Sequence, residues 1–180
     1  CRLTNRVKKA FKAKVDKGVL VFVDAGQGKT APSLTTIADL LDDMQIEQCL
    51  VVAPIKICEG VWRQEARKWS HTRDISFSLV RGTPSERAFA LNKRANVYLI
   101  NFEHLAWLRR HLRGKFHRFP IIFVDESSLI KNPKSARFKT LEKIKEDHLD
   151  TVTFVPMTGT PQPQSIMDLY TQVYLVDGGE

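Results

Sequence analysis

The sequence has no long hydrophobic run, few cysteines and no clustered metal ligands. No apolar segment approaches the ~20 residues that a membrane-spanning helix requires, and the lysine-rich N-terminal segment lacks the apolar stretch of a signal peptide. We therefore expect no membrane partner. Cys1, Cys49 and Cys58 form no Cys-x-x-Cys pair, which favours a reducing, cytoplasmic environment. The five histidines show no metal-ligand spacing, so no permanent metal site is predicted.

Positive charge exceeds negative charge, with a formal net charge of +8 at pH 7. A basic balance of this kind fits either a solvated surface or a surface that binds a polyanion. The lysines and arginines are grouped within residues 6–17 and 109–118, and grouping is more informative than net charge. For the second group both interpretations stay open.

Short apolar runs alternate with longer stretches of helical periodicity. Several runs are apolar throughout, which is typical of strands buried on both faces. The repetition of strand, helix and strand predicts an α/β fold, a mostly parallel sheet with helices on both faces, as one domain over residues 1–180. Such sheets bind ligands at the carboxyl ends of their strands. The predicted strands are Val19–Val23, Cys49–Ala53, Phe77–Val80, Val97–Ile100, Ile121–Val124 and Val152–Val155, and the helical stretches are Thr30–Leu41, Cys58–Trp69 and Phe102–Leu112.

A phosphate-binding loop is predicted directly after the first strand, at Asp24-Ala25-Gly26-Gln27-Gly28-Lys29-Thr30. Glycines let backbone N–H groups turn toward phosphate oxygens without a steric clash. Lys29 is suited to reach the β and γ phosphates of ATP, and the Thr30 hydroxyl is suited to bind Mg²⁺. The strict pattern has glycine where this sequence has Val23, so the prediction depends on the position of the loop between a strand and a helix.

Asp125 and Glu126 follow the apolar run Ile121–Val124 and are candidates for the acidic partner of the loop. Asp125 would hold Mg²⁺, partly through water, and Glu126 would act as the general base toward an attacking water. Without the loop, an acidic turn at the end of a strand would be the better interpretation. With Lys29 present, the pair predicts hydrolysis of ATP.

Five segments in order resemble those of one family. The sequence resembles the Swi/Snf-type branch of the superfamily 2 helicases, particularly compact versions found in phages and bacteria, over nearly its whole length. Two of the segments are the phosphate-binding loop and the acidic pair with its continuation Ser127–Asn132. The other three are Leu50–Pro54 with Trp62–Glu65 and Lys68-Trp69, Leu99–Glu103, and Met157–Pro161.

The resemblance implies the N-terminal RecA-like, ATP-binding lobe of a motor that moves on nucleic acid, usually duplex DNA. It also implies a second RecA-like lobe, which lies outside residues 1–180 and would supply an arginine finger. We therefore expect this lobe alone to bind ATP and to hydrolyse it very slowly. The residues implied in contacting nucleic acid or in coupling it to the nucleotide site are Pro54, Lys56, Asn101, Thr158 and Thr160.

One departure from the family pattern follows the acidic pair. The family commonly has Ala-His there, and this sequence has Ser127-Ser128, which keeps the acids but removes the histidine usually associated with coupling. An alternative function is a nucleotide-binding switch or interaction module that never translocates. A small-molecule kinase is disfavoured, because its lid and acceptor-site residues cannot be located.

Overall fold

Six strands form one sheet in residues 20–22, 28–159 and 167–178, the part of the chain that the computed structural model describes. They are β1 Val21–Phe22, β2 Cys49–Ala53, β3 Phe77–Val80, β4 Val97–Asn101, β5 Ile121–Asp125 and β6 Thr153–Thr158. Their order across the sheet is β1-β6-β5-β2-β4-β3, and every neighbouring pair is parallel. The prediction of an α/β fold with a mostly parallel sheet is confirmed.

Both faces of the central strands are buried, which explains their continuous apolar sequences. Every residue of β2, β4 and β5 is buried. Leu50 and Val52 belong to one hydrophobic cluster, and Val51 and Ala53 belong to the other, because successive side chains of a strand point to opposite faces. Cys49 is fully buried, as expected of a small core residue.

Helices cover the two faces of the sheet. On one face lie α1, Thr30–Asp42, and α2, Trp62–Arg67, which is preceded by a π-helical turn over Ile57–Val61. The other face is covered by α3 Pro84–Asn92, α4 Leu105–Leu112, α5 Ala136–Asp147 and α6 Met167–Asp177. The described ranges also contain three short 3₁₀ turns, Phe102–His104, Phe116–Arg118 and Ser127–Ile130. Each predicted helical stretch contains a helix, whereas α3, α5 and α6 were not predicted. Within the described residues, no helix has the length and apolar character needed to span a membrane.

The carboxyl ends of the parallel strands meet at one edge of the sheet. Ala53 pairs with Asn101 at the ends of β2 and β4. Asp125, at the end of β5, pairs with Met157 in β6. Open parallel sheets bind ligands at this edge, and residues from separate predicted motifs are brought together there.

Candidate functional site

Lys29 connects the segment between β1 and α1 with the acidic residues at the end of β5. Its Nζ forms an ion pair with Glu126 Oε1 and lies 3.6 Å from Asp125 Oδ1. The fold therefore places the three residues predicted to be catalytic in mutual contact, although Lys29 and Glu126 are 97 positions apart in the sequence. A cation and two carboxylates at the carboxyl edge form the centre of the candidate site.

The described part of the phosphate-binding loop is Gly28, Lys29 and Thr30. The predicted Gly26 and Gln27 lie outside the described residues. Gly28 has φ +75°, a backbone conformation that favours glycine. Helix α1 begins at Thr30, so its N-terminal end, which is the positive end of the helix dipole, lies at this edge, where it suits a phosphate group.

Asp125 is held by three neighbours in a buried position. Its side chain is 1% exposed. Oδ1 accepts a hydrogen bond from the backbone N–H of Glu126 at 3.0 Å, and Oδ2 accepts one from Trp62 Nε1 at 3.1 Å. Burial raises the pKa of Asp125, and the positive charge of Lys29 offsets part of this effect. A cation beside Asp125 is therefore electrostatically favoured.

Glu126 lies in a different environment from its neighbour. Its backbone is left-handed, with φ 55° and ψ 49°, which is uncommon for a residue other than glycine and is found at functional sites. Its side chain is 33% exposed, so water reaches this carboxylate more easily than it reaches Asp125. The two acids are thus suited to separate roles, a buried cation ligand and a proton acceptor accessible to water.

The donor set suits Mg²⁺ that arrives with a nucleotide. Thr30 and Asp125 offer hard oxygen donors, which Mg²⁺ prefers, and this ion commonly keeps several waters and phosphate oxygens. Among the described residues, no group of three or more His, Cys, Asp or Glu side chains could hold a metal ion. The predicted ligands therefore fit a magnesium ion shared with phosphates better than a resident metal centre.

The residues predicted to contact nucleic acid lie near the same edge in unlike settings. Lys56 is exposed after β2, and Pro54 is half-buried beside it. Asn101 is buried, and its Nδ2 donates to Glu103 Oε2 at 2.8 Å. Thr158 is buried as the last residue of β6, and Thr160 lies outside the described residues. Of the residues in this set that the structure describes, Lys56 has the most exposed side chain, and it is therefore the most accessible to a binding partner.

A groove of about 900 Å³ lies at the amino ends of the strands, opposite the candidate site. Several of its polar groups bond to one another. Arg118 donates to the Leu91 carbonyl at 3.1 Å, and Ser76 Oγ donates to Asn96 Oδ1 at 2.7 Å. Arg118 also lies over the rings of Tyr98 and Phe119. The groove is separate from the acidic pair, and we do not assign the nucleotide to it.

The profile of the SNF2-related domain matches residues 8–177. The chain belongs to the SNF2-related family. Protein p41 of Acyrthosiphon pisum secondary endosymbiont phage 1 is 36% identical over 164 residues, covering 89% of this chain and 35% of the phage protein. The mouse DNA repair and recombination protein RAD54-like is 24% identical over 180 residues, covering 90% of this chain and 22% of that protein. This SNF2-related chain thus spans about a third or less of the length of these relatives.

The SWI2/SNF2 ATPase core of Sulfolobus solfataricus, solved in complex with dsDNA, has the same fold. Its TM-score is 0.74 at 21% identity, and the match covers 99% of this chain and 35% of that chain. The RecA-like fold and the Swi/Snf resemblance predicted from the sequence are confirmed, and the phage relative agrees with the phage type. Membership of the SNF2-related family supports ATP hydrolase chemistry in general.

Three contacts in the SNF2-related chain were not predicted from its sequence. Trp62 donates to Asp125, whereas tryptophan at helical spacing is typical of core packing. Ser127 Oγ donates to Gln172 Oε1 on α6 at 3.0 Å in a buried setting, so the departure from Ala-His gives a bond between the acidic segment and α6. Arg81, after β3, forms an ion pair with Glu59 in the π-helical turn. The sequence signal for Ser127 was a polar residue two positions after the end of a buried strand.

Replacing Asp125 by asparagine is expected to stabilise the nucleotide-free SNF2-related chain at neutral pH by ~1 kcal/mol. Burial raises the pKa of Asp125, so an ionised carboxylate at this position costs folding free energy. Asparagine has a similar shape, and its carbonyl can still accept from the Glu126 N–H, although its amide nitrogen then faces the Trp62 N–H and reduces the gain. Urea unfolding of the variant and the wild type at pH 7.5 measures the difference.

The difference in stability between the Asp125→Asn variant and the wild type should depend on pH. Folded Asp125 keeps its proton to a higher pH than unfolded Asp125, so wild-type stability falls as pH rises from the ordinary pKa of about 4 through the raised pKa. The advantage of the variant should be small near pH 4 and complete above the raised pKa. Asp74→Asn is the matched control, because the Asp74 side chain is 93% exposed. A variant less stable than the wild type at pH 7.5 would contradict the prediction.

Proposed function

We propose that this chain is the ATP-binding lobe of a DNA-dependent translocase, in which ATP hydrolysis drives movement on duplex DNA. The observation that carries the proposal is the contact of Lys29 with both Asp125 and Glu126. A phosphate-binding lysine and an acidic pair from a distant strand meet at the ligand-binding edge of the sheet. Phosphoryl transfer needs this combination of positioning and charge.

The same side chains would change partners when a nucleotide binds. Lys29 pairs with Glu126 and lies beside Asp125, and the phosphates of a nucleotide would compete with these carboxylates for Lys29. Thr30 and Asp125 would hold Mg²⁺, which when bound offsets the charge of the phosphates. Glu126, released from Lys29 and accessible to water, would accept a proton from the attacking water.

Duplex DNA is proposed to lie along the carboxyl edge beside the nucleotide site. Lys56 follows β2 and Arg81 follows β3, and both side chains are exposed. Lysine and arginine side chains at such positions suit phosphate contacts without sequence readout. The Sulfolobus solfataricus ATPase core, which shares this fold, was solved in complex with dsDNA, and this supports a duplex partner.

The coupling roles of Asn101, Thr158 and Thr160 remain part of the proposal. Thr158 ends β6, the strand that pairs with β5 and its acidic residue, so a shift of β6 would reach the nucleotide site directly. The parent protein would contribute a second RecA-like lobe. We place its activity in the cytoplasm of a bacterial or phage-infected cell.

The proposed DNA edge is tested by replacing Glu59 with glutamine. Glu59 pairs with Arg81, so its neutralisation frees a cation for phosphate contact. We expect affinity for duplex DNA to rise a few-fold and the slope of log K against log salt to steepen by about one. Fluorescence anisotropy of a labelled duplex at several salt concentrations measures both quantities.

Glu47→Gln is the matched control for this measurement. It makes the same change in net charge at an exposed residue before β2, at the opposite edge of the sheet. An equal effect of both substitutions would indicate nonspecific attraction and would contradict the assigned edge. Wild-type affinity that ignores salt would contradict the proposed phosphate contacts, and a wild-type chain that does not bind duplex DNA would favour a nucleotide-binding switch, which needs no duplex.

A further inference from the structure

The indole of Trp62 makes a polar contact inside the core of the chain. Trp62 is the first residue of α2 and is 0% exposed. Its ring meets Phe123 of β5 edge to face, with 6.0 Å between ring centroids, and its Nε1 donates to Asp125 Oδ2. A core side chain chosen for packing alone needs no N–H at this point, because Phe offers the same aromatic contact without a donor.

The two oxygens of Asp125 have different partners, which fixes the rotation of the carboxylate. Oδ2 is directed to the Trp62 indole, whereas Oδ1 is directed to the Glu126 backbone N–H and to Lys29. The indole is neutral, so it orients the carboxylate without cancelling its charge. If the indole N–H were removed, Oδ2 would lose its partner in a buried setting and the carboxylate would gain freedom to turn.

We propose that Trp62 is a positioning residue, whose indole N–H holds the Asp125 carboxylate in the orientation that presents Oδ1 to the cation and nucleotide. This inference rests on the proposed function, because the assignment of Mg²⁺ to Asp125 belongs to it. Groups that orient a metal ligand from behind commonly change metal affinity 10- to 100-fold when they are removed. Trp62 stands in this relation to Asp125, because its N–H donates to the carboxylate oxygen that does not face Lys29.

The test separates the indole N–H from the bulk of the ring. Trp62 is replaced by phenylalanine and, in a second variant, by benzothienylalanine, which keeps the shape of tryptophan and replaces N–H by sulfur. Binding of fluorescent ADP is measured by anisotropy, once with Mg²⁺ and once with EDTA. We expect both variants to lose about tenfold in affinity with Mg²⁺ and less than about twofold with EDTA. Trp69→Phe is the control, because exposed Trp69 donates to Glu65 at 3.3 Å, away from the acidic pair.

Each outcome decides the inference. Equal losses with Mg²⁺ and with EDTA in the benzothienylalanine variant would show a packing role and overturn it. Unchanged affinity in that variant would overturn it as well, whatever the stability of the phenylalanine variant. Wild-type ADP binding that ignores Mg²⁺ would overturn the inference, whereas a wild-type chain that binds no ADP would refute the proposed function itself, and both results are seen before any variant is made.

Discussion

The 180-residue chain alone should bind ATP with Mg²⁺ and hydrolyse it about 10³- to 10⁵-fold more slowly than the same lobe joined to a second RecA-like lobe. Among the described residues, the cation that contacts Asp125 and Glu126 is Lys29, and no arginine pairs with these acids in that part of the chain. An arginine supplied from outside the lobe stabilises the charge that develops on the transferred phosphoryl group.

Phosphate release under steady-state conditions measures this difference. The chain is compared with the longer parent protein, with saturating ATP and duplex DNA in both assays. Glu126→Gln in each protein is the control, because activity that survives the loss of the general base comes from a contaminant. Turnover of the isolated chain within tenfold of the parent would refute the proposal that the site is completed from outside.

Much of the sheet could be predicted because burial on both faces leaves a simple pattern. The predicted strands Cys49–Ala53 and Phe77–Val80 agree with the bounds of β2 and β3. Other predicted ends were wrong, because β5 continues to Asp125 and β6 runs over Thr153–Thr158 through the buried Pro156. Proline is disfavoured within a sheet on local grounds, so its place in β6 reflects the surrounding tertiary structure.

Two of the three helices that were not predicted, α3 and α5, have start signals in the sequence. Thr83 and Glu86 form a capping box at the start of α3, with proline at its first position. Ser135 caps α5 by accepting from the Phe138 N–H. Apolar periodicity was weak in both helices. In α5, for example, few hydrophobic residues are buried and many residues are charged. Capping signals were more informative than periodicity in these segments.

The part of the candidate site that could be predicted from the sequence is the part that depends on where the strands end. Parallel strands bring their carboxyl ends to one edge, so Lys29 and the acidic pair were expected to meet. The bonds Trp62–Asp125 and Ser127–Gln172 depend on side-chain directions across packed elements. A sequence pattern shows which residues are present but does not show which side chains they contact. Tryptophan at helical spacing is typical of a core whether or not its N–H donates a hydrogen bond.

Lys29→Ala should reduce nucleotide affinity about 100-fold and also destabilise the nucleotide-free chain. A charged hydrogen bond contributes roughly 3 kcal/mol, which corresponds to about 100-fold in affinity. Without a nucleotide, Lys29 is the cation beside the buried Asp125. Its loss leaves a buried charge uncompensated and should cost about 3 kcal/mol of unfolding free energy. Calorimetric titration with ADP and urea unfolding measure the two effects.

The double variant Lys29→Ala with Asp125→Asn separates the two roles of the lysine. The neutral amide that replaces the carboxylate needs no cation, so stability should return toward the wild-type value while nucleotide affinity stays low. Lys56→Ala, at an exposed lysine near the same edge, should change neither quantity. A double variant as unstable as Lys29→Ala would show that the lysine supports the loop by another route. Recovery of stability alone would show that Lys29 compensates Asp125 in the empty site and binds phosphate in the filled one.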